Sequence, residues 1–220
     1  MHVIGVLNTK GGTGKTTLTS CLAVRAAEGH DGRAGAGASV AVCDLDPQGS
    51  YSDWYKRRGS PDNPALLTGA DLASEAIESL KQTSGYDFVF LDGPPGALMV
   101  TEDAVRTADL VVIPMRASGL DLGASQDCIQ LCWDVGVTPL VVINDKSMND
   151  GKLVESARGL LQSWKVPVAK TVISHRVPFV NAITTGKTGA ERDKKAAEEI
   201  DLLWREVAAA VRKAAKARAA

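Results

Sequence analysis

The sequence predicts an α/β fold built on a mainly parallel, twisted β-sheet with helices on both faces. Two patterns lead to it. Short apolar, β-branched runs recur without the polar alternation of a strand that has one wet face, so each run is suited to burial on both sides. Helix-length segments separate these runs, which is the connection that parallel neighbours need. At 220 residues, 45% hydrophobic and 23% charged, the chain has the length and composition of one soluble domain around one core.

In chain order, "VIGVLNT" at 3–9 is the first strand, and a glycine-rich turn then opens a helix at about 15–28. "EGHDGRAGAGAS" follows, a four-glycine connection that the topology puts at the N-terminal edge of the strands, opposite the edge where such sheets bind ligands. We read the glycine-rich stretch 29–38 as an elaborated surface turn. Strands are then expected at 39–44 ("SVAVCD"), 88–92 ("FVFLD"), 110–114 ("LVVIP"), 140–145 ("LVVIND") and 169–173 ("AKTVI"). Helices fill 72–82, 99–107, 121–135, 152–163, 177–185 and 191–218. In the last of these, Ile200, Leu203, Trp204, Val207 and Val211 recur at helical spacing, so one face is expected to pack on the sheet.

Bulk properties narrow the classes of function. A net charge of -1 argues against wholesale coating by nucleic acid, so any basic patch is local. Met1 leads straight into "HVIGVLN" with no secretory signal pattern, and no stretch approaches the ~18 apolar residues of a spanning helix. Cys21, Cys43, Cys128 and Cys132 form no C-x-x-C pair, and Cys128 and Cys132 fall one helical turn apart. They read as reduced core thiols of a cytosolic protein rather than metal ligands, and His2, His30 and His175 are too scattered to add to them.

The chemistry begins at "NTKGGTGKTT", residues 8–17. The phosphate-loop pattern G-x-x-x-x-G-K-[ST] is met at Gly14, Lys15 and Thr16 and broken at its first position by Thr9. Gly11, Gly12 and Gly14 let the backbone curl so that its N–H groups face phosphate oxygens, and the following helix adds its positive end. Lys15 is placed to reach the β- and γ-phosphates and the Thr16 hydroxyl to take a Mg²⁺ position, with Thr13 and Thr17 completing the nucleotide-binding run from Lys10. Such a site needs a carboxylate at the end of an apolar strand, and "YDFVFLDGPPG" supplies Asp92, followed by Gly93 as a mobile glycine. "VCDLDPQGS" ends a neighbouring strand with Asp44, assigned to the outer shell of the metal, and Asp46, assigned to the attacking water; an Asp-Pro turn is the other reading of this pair.

"KGGTGKTT", "DLDPQGS" and "FVFLDGPPG", in this order and on these strands, resemble the deviant Walker A, switch I and Walker B segments of the ParA/MinD family of P-loop ATPases. "LVVIPMRAS", "LVVIND" and "ISHRVPFVNAITTGKT" resemble that family's later strands and tail, so the likeness covers most of the chain. It implies a single-domain P-loop NTPase that hydrolyses ATP with Mg²⁺, and with no obvious arginine finger in cis the protein alone is expected to be slow. Lys10 matches the signature lysine that crosses a homodimer interface to the partner's ATP, while Lys10, Lys15 and Asp46 would carry the catalytic work. Thr16, Asp44 and Asp92 would surround the metal. Asn144 sits where the family often reads the adenine edge, and a strand-end cap is the other reading of that residue. Lys10 also makes sense without the family: a second ammonium crowded beside Lys15 would be repelled, so it is free to serve a neighbour's nucleotide.

The biological task turns on the C-terminus. Arg205, Arg212, Lys213, Lys216 and Arg218 stand against Glu206 alone, a net +4 over residues 204–220, and alanine leaves little bulky apolar surface for insertion into a bilayer. This favours non-specific DNA over membrane, with Arg176 and Lys187 as further contacts and a merely solvated basic end as the bland reading. With the family resemblance, this implies a cytoplasmic, nucleoid-associated protein that positions a plasmid, chromosome region or large cargo and answers to an activating adaptor protein; a MinD-like membrane cycle is the alternative. The loop begins at residue 10, so no N-terminal helix-turn-helix extension is expected. Arg57 and Arg58 in "DWYKRRG" read as a basic, solvated helix end rather than an arginine finger. An iron–sulfur carrier would need cysteines near "DGPPGALMV" or in the tail, and a small-carboxylate synthetase would not explain Lys10 beside "DLDPQ".

Overall fold

Among the described residues, six parallel strands form one sheet in the order β3-β2-β4-β1-β5-β6: β1 (His2–Val6), β2 (Val40–Asp44), β3 (Ala65–Leu67), β4 (Phe88–Asp92), β5 (Leu110–Met115) and β6 (Thr138–Ile143). The structure is a computed structural model that describes residues 1–29, 37–83, 85–96 and 98–219. Residues 30–36, and with them most of the glycine-rich turn, lie outside the described residues. Among the described residues, eight α-helices connect and cover the strands: α1 (Lys15–Ala27), α2 (Ser50–Arg57), α3 (Ala73–Thr83), α4 (Leu98–Thr107), α5 (Gly119–Val135), α6 (Gly151–Ser163), α7 (Val177–Ile183) and α8 (Lys194–Ala219).

Strand parity explains the unalternating apolar runs. Ile4, Val6, Val40, Val42, Phe88, Phe90, Leu110 and Val112 face one layer, with α1 and α8. Val3, Ala41, Cys43, Val89, Leu91, Val111 and Ile113 face the other, with α3, α4 and α5. All five apolar residues that the helical spacing assigns to the core face of α8 are fully buried. Trp204 meets Phe88 edge-on, with ring centroids 5.0 Å apart, and so anchors α8 under the middle of the sheet.

The structure differs from the sequence reading in three places. Strand β3 was not expected, and of helix α2 only a basic end at "DWYKRRG" was; β3 has only three residues, and α2 has two buried side chains, Tyr51 and Trp54. The expected strand at 169–173 is not regular: the segment touches β6 through isolated bridges at Val168 and Ser174. Side chains of α8 account for the interruption. The Glu206 carboxylate accepts from the N–H groups of Lys170 (2.6 Å) and Thr171 (2.9 Å), and Glu199 accepts from Ser174 N–H (3.1 Å), so these donors turn to the helix rather than to a ladder. Third, Arg58 is not a solvated end. It lies over the Trp54 ring, pairs with Glu191 at 2.8 Å and donates to Gly186 O at 3.1 Å, tying α2 to the turn before α8.

Candidate nucleotide site

β1 lies between β4 and β5, so the loop leaving it opens at the C-terminal edge of the sheet, where the connections diverge. Two anchors hold the start of that loop. Buried Asn8 donates to Pro114 O and Ser125 Oγ, both at 2.9 Å, and accepts from Lys10 N–H; Thr9 Oγ1 donates to Ala124 O. The loop therefore leans on α5 before it curls.

The curl itself needs glycine at two points. Gly12 has φ 72° and Gly14 φ 92°, conformations that side chains resist, and Gly14 is the residue from which α1 starts. A Cβ on Gly14 would also lie 2.2 Å from Asn144 Nδ2. That nitrogen donates to Thr13 O at 2.7 Å, so Asn144 fastens the end of β6 to the loop. Thr13 is buried, and Gly11 lies exposed beside Pro95.

Lys15 is buried under the loop and donates to Lys10 O at 3.0 Å. Burial lowers its pKa, opposed by the charges of Asp92 and Asp46. Thr16 Oγ1 donates to Asp92 Oδ2 at 2.7 Å, and the Thr19 hydroxyl lies 2.8 Å from Oδ1. Asp92 and Asp44 are register partners on β4 and β2, which brings both carboxylates to one edge of the sheet. Burial pushes the Asp92 carboxyl up to about 7 against the two threonine hydrogen bonds, with Asp44 adding to the rise. A buried carboxylate, its carboxylate neighbour and a threonine hydroxyl are hard oxygen donors, the chemistry that suits Mg²⁺ completed by phosphate and water.

Asp44 also orders its own loop: its oxygens accept from Asp46 N–H and from the N–H and hydroxyl of Ser52. Asp46 is half-buried, and its Oδ1 accepts from Gln48 N–H. Gly93 packs closely on Leu7, where a Cβ would lie 2.4 Å from Leu7 Cδ2.

Beside the loop is a cavity of about 330 Å³, reached by Gly12, Gly14, Thr17, Asn144, His175 and Arg176. Its mouth carries a chain of polar contacts that the sequence reading did not anticipate: Arg116 pairs with Asp145 at 2.9 Å, and Asp145 Oδ1 lies 2.5 Å from His175 Nδ1. Asp145 has φ 58°. Arg176 is turned inward to Glu199 at 2.7 Å, so of the two extra surface cations only Lys187 remains exposed, and it is 3.7 Å from Glu191.

Lys10 takes a direction of its own. Its ammonium sits 2.6 Å from Asp121 Oδ1, on the first turn of α5, away from the cradle that Lys15 occupies. Asp121 escaped the sequence reading, although "SGLD" is a helix-opening pattern in which Ser118 accepts from Asp121 N–H. On α8, Arg205, Lys213 and Lys216 are exposed, Arg212 lies over the Phe88 ring, and the Arg218 side chain is outside the described residues. Leu202 is the one large apolar residue exposed among the described residues of that helix, the rest of its apolar face being spent on the core.

A strand, a curled glycine loop and a helix, with a buried lysine in the curl and a threonine–aspartate pair beside it, define a P-loop phosphate-binding protein. The family model for the CobQ/CobB/MinD/ParA nucleotide binding domain matches residues 4–189, and the chain belongs to this family. The maintenance of carboxysome distribution protein A of Gloeobacter kilaueensis is 31% identical over 224 residues, covering 93% of this chain and 96% of that protein. The chromosome-partitioning ATPase Soj of Thermus thermophilus is 28% identical over 241 residues, covering 90% and 94%. A structure of a Cyanothece McdA–ATP complex has the same fold, with a TM-score of 0.72 at 17% identity over 94% of this chain and 95% of that one. The protein is thus a ParA/MinD-type ATPase by family and fold.

Proposed function

We propose that the protein is an ATP-dependent dimerising ATPase that binds non-specific DNA and positions a large cargo, with an adaptor protein stimulating hydrolysis. The observation that carries this reading is the pair of lysines on one loop. Lys15 fills the cradle and Lys10 turns away from it to Asp121; in this reading Lys15 would serve the subunit's own phosphates, and Lys10, once released from Asp121, those of a facing subunit. Two subunits would enclose two ATP molecules, and loss of the γ-phosphates would remove the charge that joins them.

In this reading Gly11, Gly12, Thr13, Gly14 and Thr17 line the phosphates, and Asn144 braces the loop from the nucleoside side. Thr16 and Asp92 would hold Mg²⁺ with Asp44 behind, and Asp46 would place the attacking water. A Mg²⁺ ion held by these oxygens would supply positive charge to offset the charge that develops on the phosphates. The relatives named for carboxysome distribution and chromosome partitioning support a positioning role, and the cargo class follows theirs. DNA would meet the exposed Arg205, Lys213 and Lys216 of α8, a weak contact made useful by pairing two patches in the dimer, which can raise avidity by ~10²–10⁴. The whole chain acts as one domain, cytoplasmic and associated with the nucleoid. The burial of the apolar face of α8 favours DNA over a membrane surface.

Co-sedimentation tests the reading directly. With ATP or a non-hydrolysable analogue the protein should be retained on non-specific DNA, and with ADP or in Lys10→Ala it should be released. Retention on liposomes alone would refute it.

A further inference from the structure

The contact between Lys10 and Asp121 points to a regulation of that same site, and this inference rests on the dimer reading above. We infer that Asp121 is a positioning residue that holds Lys10 within its own subunit and so opposes dimerisation until a γ-phosphate is present on the partner to draw the lysine away.

Three features of the geometry carry it. The ion pair is close, 2.6 Å, while the Asp121 side chain is only 6% exposed and that of Lys10 is 35% exposed. One partner is therefore rooted and the other is at the surface. Asp121 is fixed in place by Ser118, which donates to Asp121 Oδ2 at 2.5 Å and accepts from its N–H at 3.2 Å. The carboxylate cannot follow the lysine outward.

The other oxygen, Oδ1, is buried and has no further hydrogen-bond partner among the described residues. Withdrawing Lys10 leaves that oxygen uncompensated, which costs free energy. Keeping Lys10 in place is no remedy, since a phosphate reaching the ammonium there would be brought within a few Å of a buried negative charge. Either way Asp121 works against engagement in trans. Arg116 adds positive charge nearby, but its guanidinium is already paired with Asp145 at 2.9 Å. The consequence is a threshold: a partner nucleotide must offer enough negative charge to outcompete Asp121, which favours ATP over ADP.

The test is analytical ultracentrifugation of the full chain with Mg²⁺–ATP and Mg²⁺–ADP, comparing wild type with Asp121→Asn, which keeps the size and hydrogen-bonding capacity needed at the helix start. Because a charge-assisted hydrogen bond is released twice per dimer, the dimer dissociation constant with ATP should fall ~10-fold or more, and dimers should become detectable with ADP. Asp121→Ser should behave alike, Asp121→Glu should restore the wild-type nucleotide preference, and melting temperatures should show that the variants are folded. The gain must vanish in Lys10→Ala/Asp121→Asn. Unchanged or weaker dimers in folded Asp121→Asn and Asp121→Ser, or a gain that survives Lys10→Ala, would overturn the inference alone. Absence of ATP-dependent dimers in the wild type would overturn the dimer reading and this inference together.

Discussion

Replacing Asp92 by asparagine should make the nucleotide-free protein more stable at neutral and alkaline pH while abolishing the magnesium-dependent ATP turnover proposed for it. Asp92 is fully buried at the end of β4, and burial pushes its carboxyl up to about 7. In the unfolded chain an aspartate titrates near ~3.9. Between about pH 4 and pH 7 the folded protein therefore binds more protons at this position than the unfolded chain, so stability falls as pH rises through that window. Each unit of difference is worth about 1.4 kcal/mol, which gives a penalty of up to about 4 kcal/mol at pH 8 and none below pH 4. Asparagine carries no charge and keeps the local bonding: its oxygen can accept from Thr16, and its amide can donate to Thr19 Oγ1, whose hydroxyl reaches Lys15 O at 3.0 Å. After allowance for an imperfect exchange, we expect a gain of about 2–4 kcal/mol at pH 8, or a rise of several degrees in Tm for a chain of this size. Thermal melts of wild type and Asp92→Asn, free of nucleotide and divalent metal, across pH 4 to 9 give the answer. A difference in Tm that does not shrink towards pH 4, or a variant less stable than wild type at pH 8, would refute the reasoning.

Two further outcomes follow from packing and backbone geometry. Gly14→Ala forces a side chain to φ 92° and 2.2 Å from Asn144 Nδ2; it should cost about 1–3 kcal/mol in denaturant titrations and abolish ATP binding, with Asn144→Ala added to it recovering part of the stability but little of the binding. Trp204→Ala empties the space beneath Phe88 and Phe90 and should cost about 3–5 kcal/mol in urea unfolding, a loss under 1 kcal/mol showing that α8 is not anchored there.

The parts of this protein that could be read from sequence are those fixed by local chemistry. Apolar runs such as "FVFLD" identify strands buried on both faces, because both residue parities must be apolar, and Gly14, Lys15 and Thr16 between a strand and a helix identify the loop, because glycine permits the curl and lysine and threonine carry phosphate and metal chemistry. What escaped depends on neighbours distant in the chain. Strand β3 is too short to show a period, and "AKTVI" has the composition of a strand but gives the N–H groups of Lys170 and Thr171 to Glu206, far along the chain. Arg58 looks solvated until Trp54 and Glu191 close over it. Asp121 shows only a helix-start pattern, and its contact with Lys10 arises because Asn8 and Thr9 draw the loop against α5. The sequence names the cations of the site but not the carboxylate that claims one of them.

The interrupted segment beside β6 has a consequence for how this protein can associate. A sheet ends in rows of backbone donors and acceptors that invite another strand, and such pairing, once made, has no link to nucleotide. Here one border is a strand of three residues. The other is flanked by the 168–174 stretch, whose outward N–H groups at Lys170 and Thr171 are already taken by Glu206. Neither border offers a long template for a second copy. For a protein whose proposed task is to join and part on the cue of ATP, self-association through the sheet would be a bond that hydrolysis could not undo, and two glutamates on the final helix help to keep that route shut.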